Sequence, residues 1–225
     1  MKKVFRYPVL CITFIIFHFC SIAQFHFVPA LVWLSNGDTL KGWVNDRGWT
    51  KIPGHIRFKQ DPHDPESIFY FPANIAGFTV NNKEAFVSYV GNIDSAHAVV
   101  RHTSTAIKPR GILDSLFLKP LVNGRVSLFF SIDKRGVMHY FIKAWNRPIE
   151  ELHFFEFIFY EKGINKGIFE SVTMHVIQQN QYKQQLLVSF ADCQAIYVHL
   201  ATSKTHFTRH NLKKWCLEYN QQCVE

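Results

Sequence analysis

Residues 116–143 read LFLKPLVNGRVSLFFSIDKRGVMHYFIK and predict three antiparallel strands in a row. The apolar run Leu116–Val122 is followed by Asn123-Gly124, by Arg125–Ile132 with alternating apolar and polar residues, and after a second turn by a third apolar run. Asn-Gly between two such runs is a strong hairpin signal, because both central residues of a type I′ turn need positive φ. Side chains alternate along a strand, so this pattern predicts a meander with one buried face and one solvent-exposed face.

Similar patterns elsewhere in the chain predict more short strands and hairpins. They cover residues 30–34, 39–44, 55–59, 67–71, 77–80, 84–90 and 96–101. A nearly continuous apolar run over 150–160 predicts a strand buried on both sides, with a helix as the alternative.

The hydrophobic period changes after Lys162–Gly167, a segment with two glycines. Apolar residues then recur at helical spacing and predict helices over 173–190 and 208–221, with a shorter helical piece over 194–200. Strands followed by segregated helices indicate the α+β class. We therefore expect an antiparallel sheet or meander of several hairpins over residues 24–165, followed by a C-terminal unit of two to three helices over residues 166–225.

The first 23 residues predict a secretory signal peptide. Basic residues open the segment, the apolar run Val9–Cys20 follows, and small residues precede Gln24. The apolar run has about a dozen residues, whereas a membrane-spanning helix needs about 20. We therefore expect cleavage before Gln24, export to the periplasm or the outer-membrane surface, and no transmembrane span in the mature chain.

The charge of the chain is basic but scattered. The formal net charge of +8 becomes +5 when Lys2, Lys3 and Arg6 are removed with the signal peptide, since that segment has no acidic residue. Nucleic-acid-binding proteins concentrate Lys and Arg on one face or helix, so we expect no nucleic-acid partner. The 22 phenylalanines suit a β-rich core.

Three cysteines remain in the mature chain: Cys193, Cys216 and Cys223. On one helix, Cys216 and Cys223 would lie about 10 Å apart along the axis, too far for a disulfide, whose Cα atoms lie within about 7 Å. Cys193 precedes that helix and can reach either of them. We favour Cys193–Cys223, with Cys216 as a small buried apolar residue.

Known catalytic motifs are missing from the sequence. It has no nucleophile elbow, P-loop, dinucleotide-binding glycine motif, HExxH pair or CxxC pair. His206 and His210 have metal-ligand spacing on a helix, and the acidic loop Asp61–Glu66 could bind a cation, but neither has a full ligand set. We expect solvated surface at both, and no metal or cofactor. Asp192-Cys193 could indicate a reactive thiol, but half of a structural disulfide fits export better.

Trp33, Trp43 and Trp49 lie within seventeen residues of one another. Such a cluster could form an aromatic platform for a glycan, and these three residues are the weak binding-site candidates of the sequence. On half-buried hairpins, however, tryptophans more often pack in the core or across strands.

Four segments resemble a known group of proteins. They are NGDTLKGWV (36–44) with Trp49, Pro53 and Ile56–Phe58; YFPANIAGF (70–78); FLKPLVNG (117–124); and Asp192-Cys193 with Tyr219-Asn220 and Cys223. In this order they resemble the secreted domain of unknown function that precedes porin-like outer-membrane β-barrels in Bacteroidetes-type proteins. The resemblance spans most of residues 31–223 and implies an extracytoplasmic domain, here without the barrel. Its motifs are turns, prolines and cysteines, so it implies no activity.

The sequence favours a non-enzymatic module of the cell envelope that binds a protein or a glycan through sheet edges or exposed aromatic residues. A hydrolase whose His and Asp residues are assembled by the fold is the first alternative. A barrel-less remnant of an outer-membrane protein is the second. The oligomeric state has no signature in the sequence.

Overall fold

The computed structural model describes residues 26–46, 48–49, 51–81, 83–94, 99–102, 111–163 and 171–223. The predicted signal peptide, residues 1–23, lies outside them. Within the described part of the chain, no helix is both long enough and apolar enough to cross a membrane.

In the described part of the chain a ten-stranded sheet and a smaller second sheet are followed by three helices, and the predicted α+β class is confirmed. The sheet order is β11-β10-β9-β8-β6-β5-β1-β2-β3-β4, and every neighbouring pair is antiparallel. Its strands are β1 (Phe27–Leu34), β2 (Thr39–Asn45), β3 (Ile56–Lys59), β4 (Ile68–Tyr70), β5 (Ile75–Val80), β6 (Glu84–Asp94), β8 (Gly111–Val122), β9 (Val126–Ile132), β10 (Met138–Ala144) and β11 (Glu150–Glu151).

The predicted meander is present as β8, β9 and β10, but two of its details differ from the prediction. Neither Asn123 nor Gly124 has positive φ, so the connecting turn is not of type I′. The predicted solvent-exposed face is also covered, since Phe129 is buried on the side opposite Leu128. These strands lie inside a wide sheet and pack on both faces, as central strands do.

A second, three-stranded sheet has the order β13-β12-β7, from β7 (Val99–His102), β12 (Phe155–Gly163) and β13 (Ser171–Gln179). The predicted helix over 173–190 is therefore wrong in its first half. Val172, Thr173 and Val176 are β-branched and favour a strand, and β13 pairs antiparallel with β12 along its whole length. This pairing crosses the predicted boundary at residue 165, so the helices begin only after Gln179.

The helices are α1 (Gln181–Ser189), α2 (Gln194–Thr202) and α3 (Arg209–Gln222). They pack on one face of β9 and β10 and form with it a cluster that we call the helix-side core. Its members from the sheet are Val126, Leu128, Tyr140, Ile142 and Ala144, and its members from the helices include Tyr182, Leu186, Phe190, Leu200, Leu212, Trp215 and Tyr219.

Polar contacts hold the end of α3 against the β8–β9 turn. The Asn220 side chain accepts a hydrogen bond from the Val126 N–H (2.9 Å) and donates one to the Val126 carbonyl (2.8 Å). Gly124 lies so close to this amide that a Cβ there would collide with it. Asp192 accepts a hydrogen bond from the Tyr219 hydroxyl (2.9 Å) and pairs with Arg125 (2.8 Å).

The disulfide joins Cys193 and Cys223, whose Cα atoms are 5.8 Å apart, and Cys216 is a buried free thiol. The predicted pairing is thus confirmed. Cys193 is the N-cap residue of α2 and Cys223 the C-cap residue of α3, so the bond ties the start of one helix to the end of another.

Two more clusters pack on the rest of the large sheet. The N-terminal core lies on one face of β1–β6 and is built from Val32, Val44, Ile56, Phe78, Phe86 and their neighbours. The central core contains Ile93, Leu116, Leu118, Phe129 and Phe141. Strand β8 contributes to both, through Phe117 on one side and Leu116 and Leu118 on the other.

Candidate functional site

The face of strands β1–β4 that points away from the N-terminal core is the first candidate surface. Val28, Ala30 and Val32 of β1 are buried in that core, so the residues between them point to the opposite face. The strand register extends this face through the neighbouring strands, because Trp43 is opposite both Pro29 and Lys59, and Arg57 is opposite Phe69. We call it the aromatic–basic face; it carries Phe27, Pro29, Leu31, Trp33, Thr39, Lys41, Trp43, Asn45, Arg57, Lys59 and Phe69.

Two of the three predicted tryptophans lie on this face. Trp33 and Trp43 are half-buried, and their register puts them four residues apart along the strands, about 13 Å. Trp49 lies elsewhere: its side chain is 8% exposed and its ring packs against Phe78 and Phe86, with centroids 5.6 Å apart in each pair. The structure therefore does not bring the three tryptophans together, because the chain after β2 turns Trp49 into the N-terminal core.

An open depression of about 550 Å³ lies beside Trp43. Pro29, Leu31 and the Trp43 ring supply apolar surface there, while Lys41, Gln60 and Asn81 supply polar groups. Lys41, Gln60 and Asn81 are exposed to solvent. The volume is in the usual range of ligand sites, and the mixture of a ring with amide and ammonium donors suits a ligand that is apolar on one side and hydroxylated on the other.

Exposed rings continue this face to the edge of the sheet. Phe69 and Phe71 are 44% and 48% exposed, and the ring of His55 lies 5.4 Å and 5.6 Å from theirs. The Arg57 guanidinium lies 4.9 Å above the Phe69 ring, within the distance for a cation–π interaction. Clustered exposed apolar side chains of this kind mark interaction surfaces in soluble proteins.

The charges on the aromatic–basic face are all positive. Lys41, Arg57 and Lys59 lie on it, and among the described residues of β1–β4 that share this face none is acidic. The Lys59 ammonium lies 4.5 Å from the Phe27 ring centre and donates to the Asp64 carbonyl (2.5 Å). The nearby acids belong to the loop between β3 and β4, where Asp61 and Asp64 accept hydrogen bonds from loop backbone N–H groups.

The Phe69–Phe71 end of this surface is not identified by the sequence alone. Alternation in the stretch IFYF (68–71) puts Phe69 and Phe71 on one face, but nothing local shows that β4 is an edge strand. The association of these rings with Arg57 depends on the register of β3 with β4.

A second candidate site is a buried ionic network around His139. The ring is 3% exposed; its Nδ1 lies 2.5 Å from a Glu151 oxygen, and its Nε2 lies 3.5 Å from an Asp133 oxygen. Asp133 also accepts hydrogen bonds from the Arg135 side chain (2.7 Å) and from the Val137 N–H (2.9 Å). The other Glu151 oxygen accepts from the Asp94 N–H (2.8 Å).

The pKa shifts in this network favour the charged forms of His139 and Asp133. Burial alone would lower the pKa of His139, but the hydrogen bond and charge of Glu151, together with Asp133, hold it above 6.5. Burial would likewise raise the pKa of Asp133, but hydrogen bonds from Val137 and Arg135 hold it below 3.8. The imidazolium Nδ1–H then donates to Glu151.

A cavity of about 560 Å³ lies next to this network, between β10 and the start of α3. His139 and Glu151 form part of one wall, and Phe154, Phe207 and Arg209 form part of another. Both ring nitrogens of His139 face carboxylates, so neither is directed at a substrate as a general base would be. The arrangement is that of a structural ion network beside a cavity.

The other predicted candidates are dispersed. His206 and His210 are both exposed, and no group of three His, Cys, Asp or Glu residues that could hold a metal ion occurs within the described ranges. Asp192 is engaged with Tyr219 and Arg125, and Cys193 is in the disulfide. Burial raises the pKa of the Cys216 thiol to about 12, so it stays protonated and unreactive.

Comparison with known proteins finds no matching protein family, no matching curated protein and no matching solved structure.

Proposed function

We propose that this protein is a non-enzymatic binding module of the cell envelope, and that it binds its partner on the aromatic–basic face. One observation carries the proposal: Trp33, Trp43, Phe69 and three cations share the side of β1–β4 that points away from the N-terminal core. Solvated sheet faces usually carry polar side chains. A face with half-exposed rings and cations is typical of a surface that another molecule covers.

Export is part of the same proposal. The basic and apolar segments of residues 1–23 support it, and so does the disulfide between Cys193 and Cys223, since such bonds persist in oxidising compartments. The resemblance to Bacteroidetes-type secreted domains agrees with this location, and we propose the same class for this chain. A hydrolase has less support, because the His139 network offers no free ring nitrogen to a substrate.

The test of the binding surface compares variants in which one aromatic residue is replaced by alanine. The full chain is expressed, recovered from the exporting cells and immobilised, and envelope extracts containing proteins and released glycans are passed over it. We expect Trp43→Ala and Phe69→Ala to lose retained material. The matched control is Trp145→Ala, because Trp145 is 75% exposed and lies in the turn after β10, away from this face.

Circular dichroism verifies that each variant is folded, so that a loss of retention reports on the surface. Equal retention by the unmodified protein and the Trp43 and Phe69 variants would overturn the proposed surface. Loss of retention by the Trp145 variant alone would show that the binding site lies at the other end of the sheet.

A further inference from the structure

We infer that the ligand of the aromatic–basic face is an acidic glycan, a polysaccharide that carries carboxylate or sulfate groups. The inference rests on the proposed function and specifies the class of ligand. The chain of sugars would begin in the depression beside Trp43 and extend over β3 to the exposed rings of Phe69 and Phe71.

The depression has the chemistry that a sugar ring requires. A pyranose has faces of C–H groups and a rim of hydroxyls, so it stacks on an aromatic ring and forms hydrogen bonds at its edge. The Trp43 ring supplies the first contact, and the exposed side chains of Gln60 and Asn81 supply amide donors and acceptors for the second. The depression is open, which suits one unit of a polymer more than an enclosed small molecule.

The cations select an acidic polymer. Lys41 lines the depression, and Arg57 lies on the path from Trp43 to Phe69. Lys41 is exposed, and its ammonium can form a charge-assisted hydrogen bond with a carboxylate or sulfate of the polymer. Because the described residues of this face include no carboxylate, an anionic polymer meets no like charge on the four strands.

The distance between Trp43 and Phe69 suits an extended chain of sugars. Trp43 lies opposite Lys59 on β3, and Phe69 lies opposite Arg57, two residues earlier on the same strand. Two strand spacings across the sheet amount to about 10 Å, and two residues along it to about 7 Å. A short oligosaccharide covers this path, and a continuous polysaccharide can use both ends at once, which strengthens weak individual contacts.

A protein strand added to β4 is the competing occupant, and the structure favours it less. Strand β4 has only three residues and offers few backbone groups for strand addition. The rings and cations of the face point away from the sheet plane, where they contact a ligand lying on the face. An added strand would lie beside the edge and would leave Trp43 and Lys41 uncovered.

The experiment measures binding of the full, disulfide-bonded protein to matched polysaccharides by affinity gel electrophoresis. Polygalacturonate and its fully methyl-esterified form share one backbone and differ in charge. Alginate, hyaluronate and a sulfated dextran extend the acidic set, and unmodified dextran and galactan extend the neutral set. Single-stranded oligothymidylate tests for non-specific attraction to polyanions.

We expect retardation by at least one acidic polysaccharide, with little or none by its neutral counterpart, and weaker retardation at higher salt. Trp43→Ala should weaken binding about tenfold, the effect of losing an aromatic anchor, and Lys41→Gln should weaken it a few-fold. The matched controls are Trp145→Ala and Lys143→Gln, since Lys143 is an exposed lysine on β10. Neither control should change binding.

The remaining outcomes separate this inference from the proposed function. Equal binding of neutral and acidic polysaccharides would overturn the assignment of an acidic glycan. So would binding of oligothymidylate that is as strong as binding of the acidic polysaccharides and is unchanged by Trp43→Ala. Absence of binding to every polysaccharide, together with a Trp43-dependent protein captured from the envelope, would overturn it and leave the proposed function standing. Absence of any Trp43-dependent binding in either experiment would overturn both.

Discussion

His139 shows how a single side chain joins distant parts of this fold. It lies on β10 between Glu151 on β11 and Asp133 in the preceding turn, and Glu151 also binds the Asp94 N–H at the end of β6. A charged ring between two carboxylates is stable in a buried position only while all members are present, because each compensates the desolvation of the others. The network therefore fixes the turn after β9 and the edge of the sheet relative to β6.

We expect His139→Gln to lower the free energy of unfolding by about 3–5 kcal/mol at mildly acidic pH, since it leaves buried carboxylates without their cation. The raised pKa makes the effect depend on pH. The contribution of His139 is fully present below pH 6.5 and is lost as the pH rises through its folded-state pKa, because the folded protein holds the proton longer than the unfolded chain.

Urea unfolding over a pH series measures this prediction. The difference between the unmodified protein and the His139 variant should shrink as the pH rises from 6.5. His206→Gln, which changes an exposed histidine, serves as the control and should leave the curve unchanged. A difference that stays constant with pH would show that folding does not shift the pKa of His139, and one that grows with pH would show that His139 is uncharged in the folded protein.

At the scale of one residue, the sequence gives a mixed account of this protein. Helix geometry excludes the Cys216–Cys223 pair but leaves two partners for Cys193, of which the favoured one, Cys223, is the one observed. It gives no sign of the His139 network, whose members come from a turn, a strand and a two-residue edge strand. The position of Trp49 in the core depends on a backbone turn that includes a positive φ at Trp49 itself, which residue type does not predict.

At the scale of the elements, the contact between the β8–β9 turn and helix α3 explains why residue 124 is a glycine, which its backbone conformation does not explain. Gly124 has no positive φ, yet the Asn220 amide occupies the space where its Cβ would lie. That amide forms two hydrogen bonds with Val126 and so acts like one more residue paired with β9. The turn and the end of the helix therefore fit together only with glycine at this position.

We expect Gly124→Ala to lower the free energy of unfolding by about 1–3 kcal/mol, because the methyl group displaces the Asn220 amide and leaves Val126 unpaired. Gly54→Ala is the matched control, since nothing lies within 4 Å of a Cβ at Gly54. That change should alter stability by less than about 0.5 kcal/mol. Chemical denaturation of both variants makes the comparison, and equal effects would contradict the proposed clash.

The disulfide contributes to the stability of the helices. It closes a loop of 30 residues, which in the chain-entropy model stabilises the folded protein by roughly 3–4 kcal/mol. Replacing both Cys193 and Cys223 by serine should lower the free energy of unfolding by this amount. Adding a reductant should have the same effect on the unmodified protein and none on the double variant; a reductant effect on the double variant would point to another cause.

Local patterns predict elements well where the partner is a neighbour in sequence. The hairpins and the helices α2 and α3 follow from alternation, turns and helical spacing. The helical period of Tyr182, Leu186 and Phe190 predicts a helix that is extended too far back, over the residues that form β13 and pair with β12. The surface at Phe69 and Phe71 likewise depends on the order of strands across the sheet, which single-strand patterns do not contain.

At the scale of the whole molecule, one sheet links three cores. Strand β8 reaches all of them: Phe117 lies in the N-terminal core, Leu116 and Leu118 in the central core, and Val122 in the helix-side core. Because one strand contributes side chains to all three cores, unfolding of one core removes packing contacts from the other two. The protein should therefore unfold as a unit, although its sequence suggests a sheet domain and a separate helical unit.

Two tryptophans allow this prediction to be tested. Trp49 lies in the N-terminal core and Trp215 in the helix-side core, so two variants that each keep only one of them, with the other four of the five tryptophans replaced by Phe, report on opposite ends of the protein. Each variant's fluorescence transition should coincide with its own transition measured by far-ultraviolet circular dichroism. Fluorescence midpoints that separate from the circular dichroism midpoint would show that the two ends unfold independently.

The position of Cys216 also has a consequence for how the protein matures. Cys216 lies between Cys193 and Cys223 in the sequence, so during synthesis it is the first downstream thiol that Cys193 can meet. In the finished protein Cys216 is fully buried in the helix-side core, and its thiol is protonated at neutral pH. An oxidant acting before α3 docks can join Cys193 to Cys216, whereas in the folded protein Cys216 is buried and the Cα atoms of Cys193 and Cys223 are 5.8 Å apart. Correct oxidation thus requires that the chain folds first and is oxidised second.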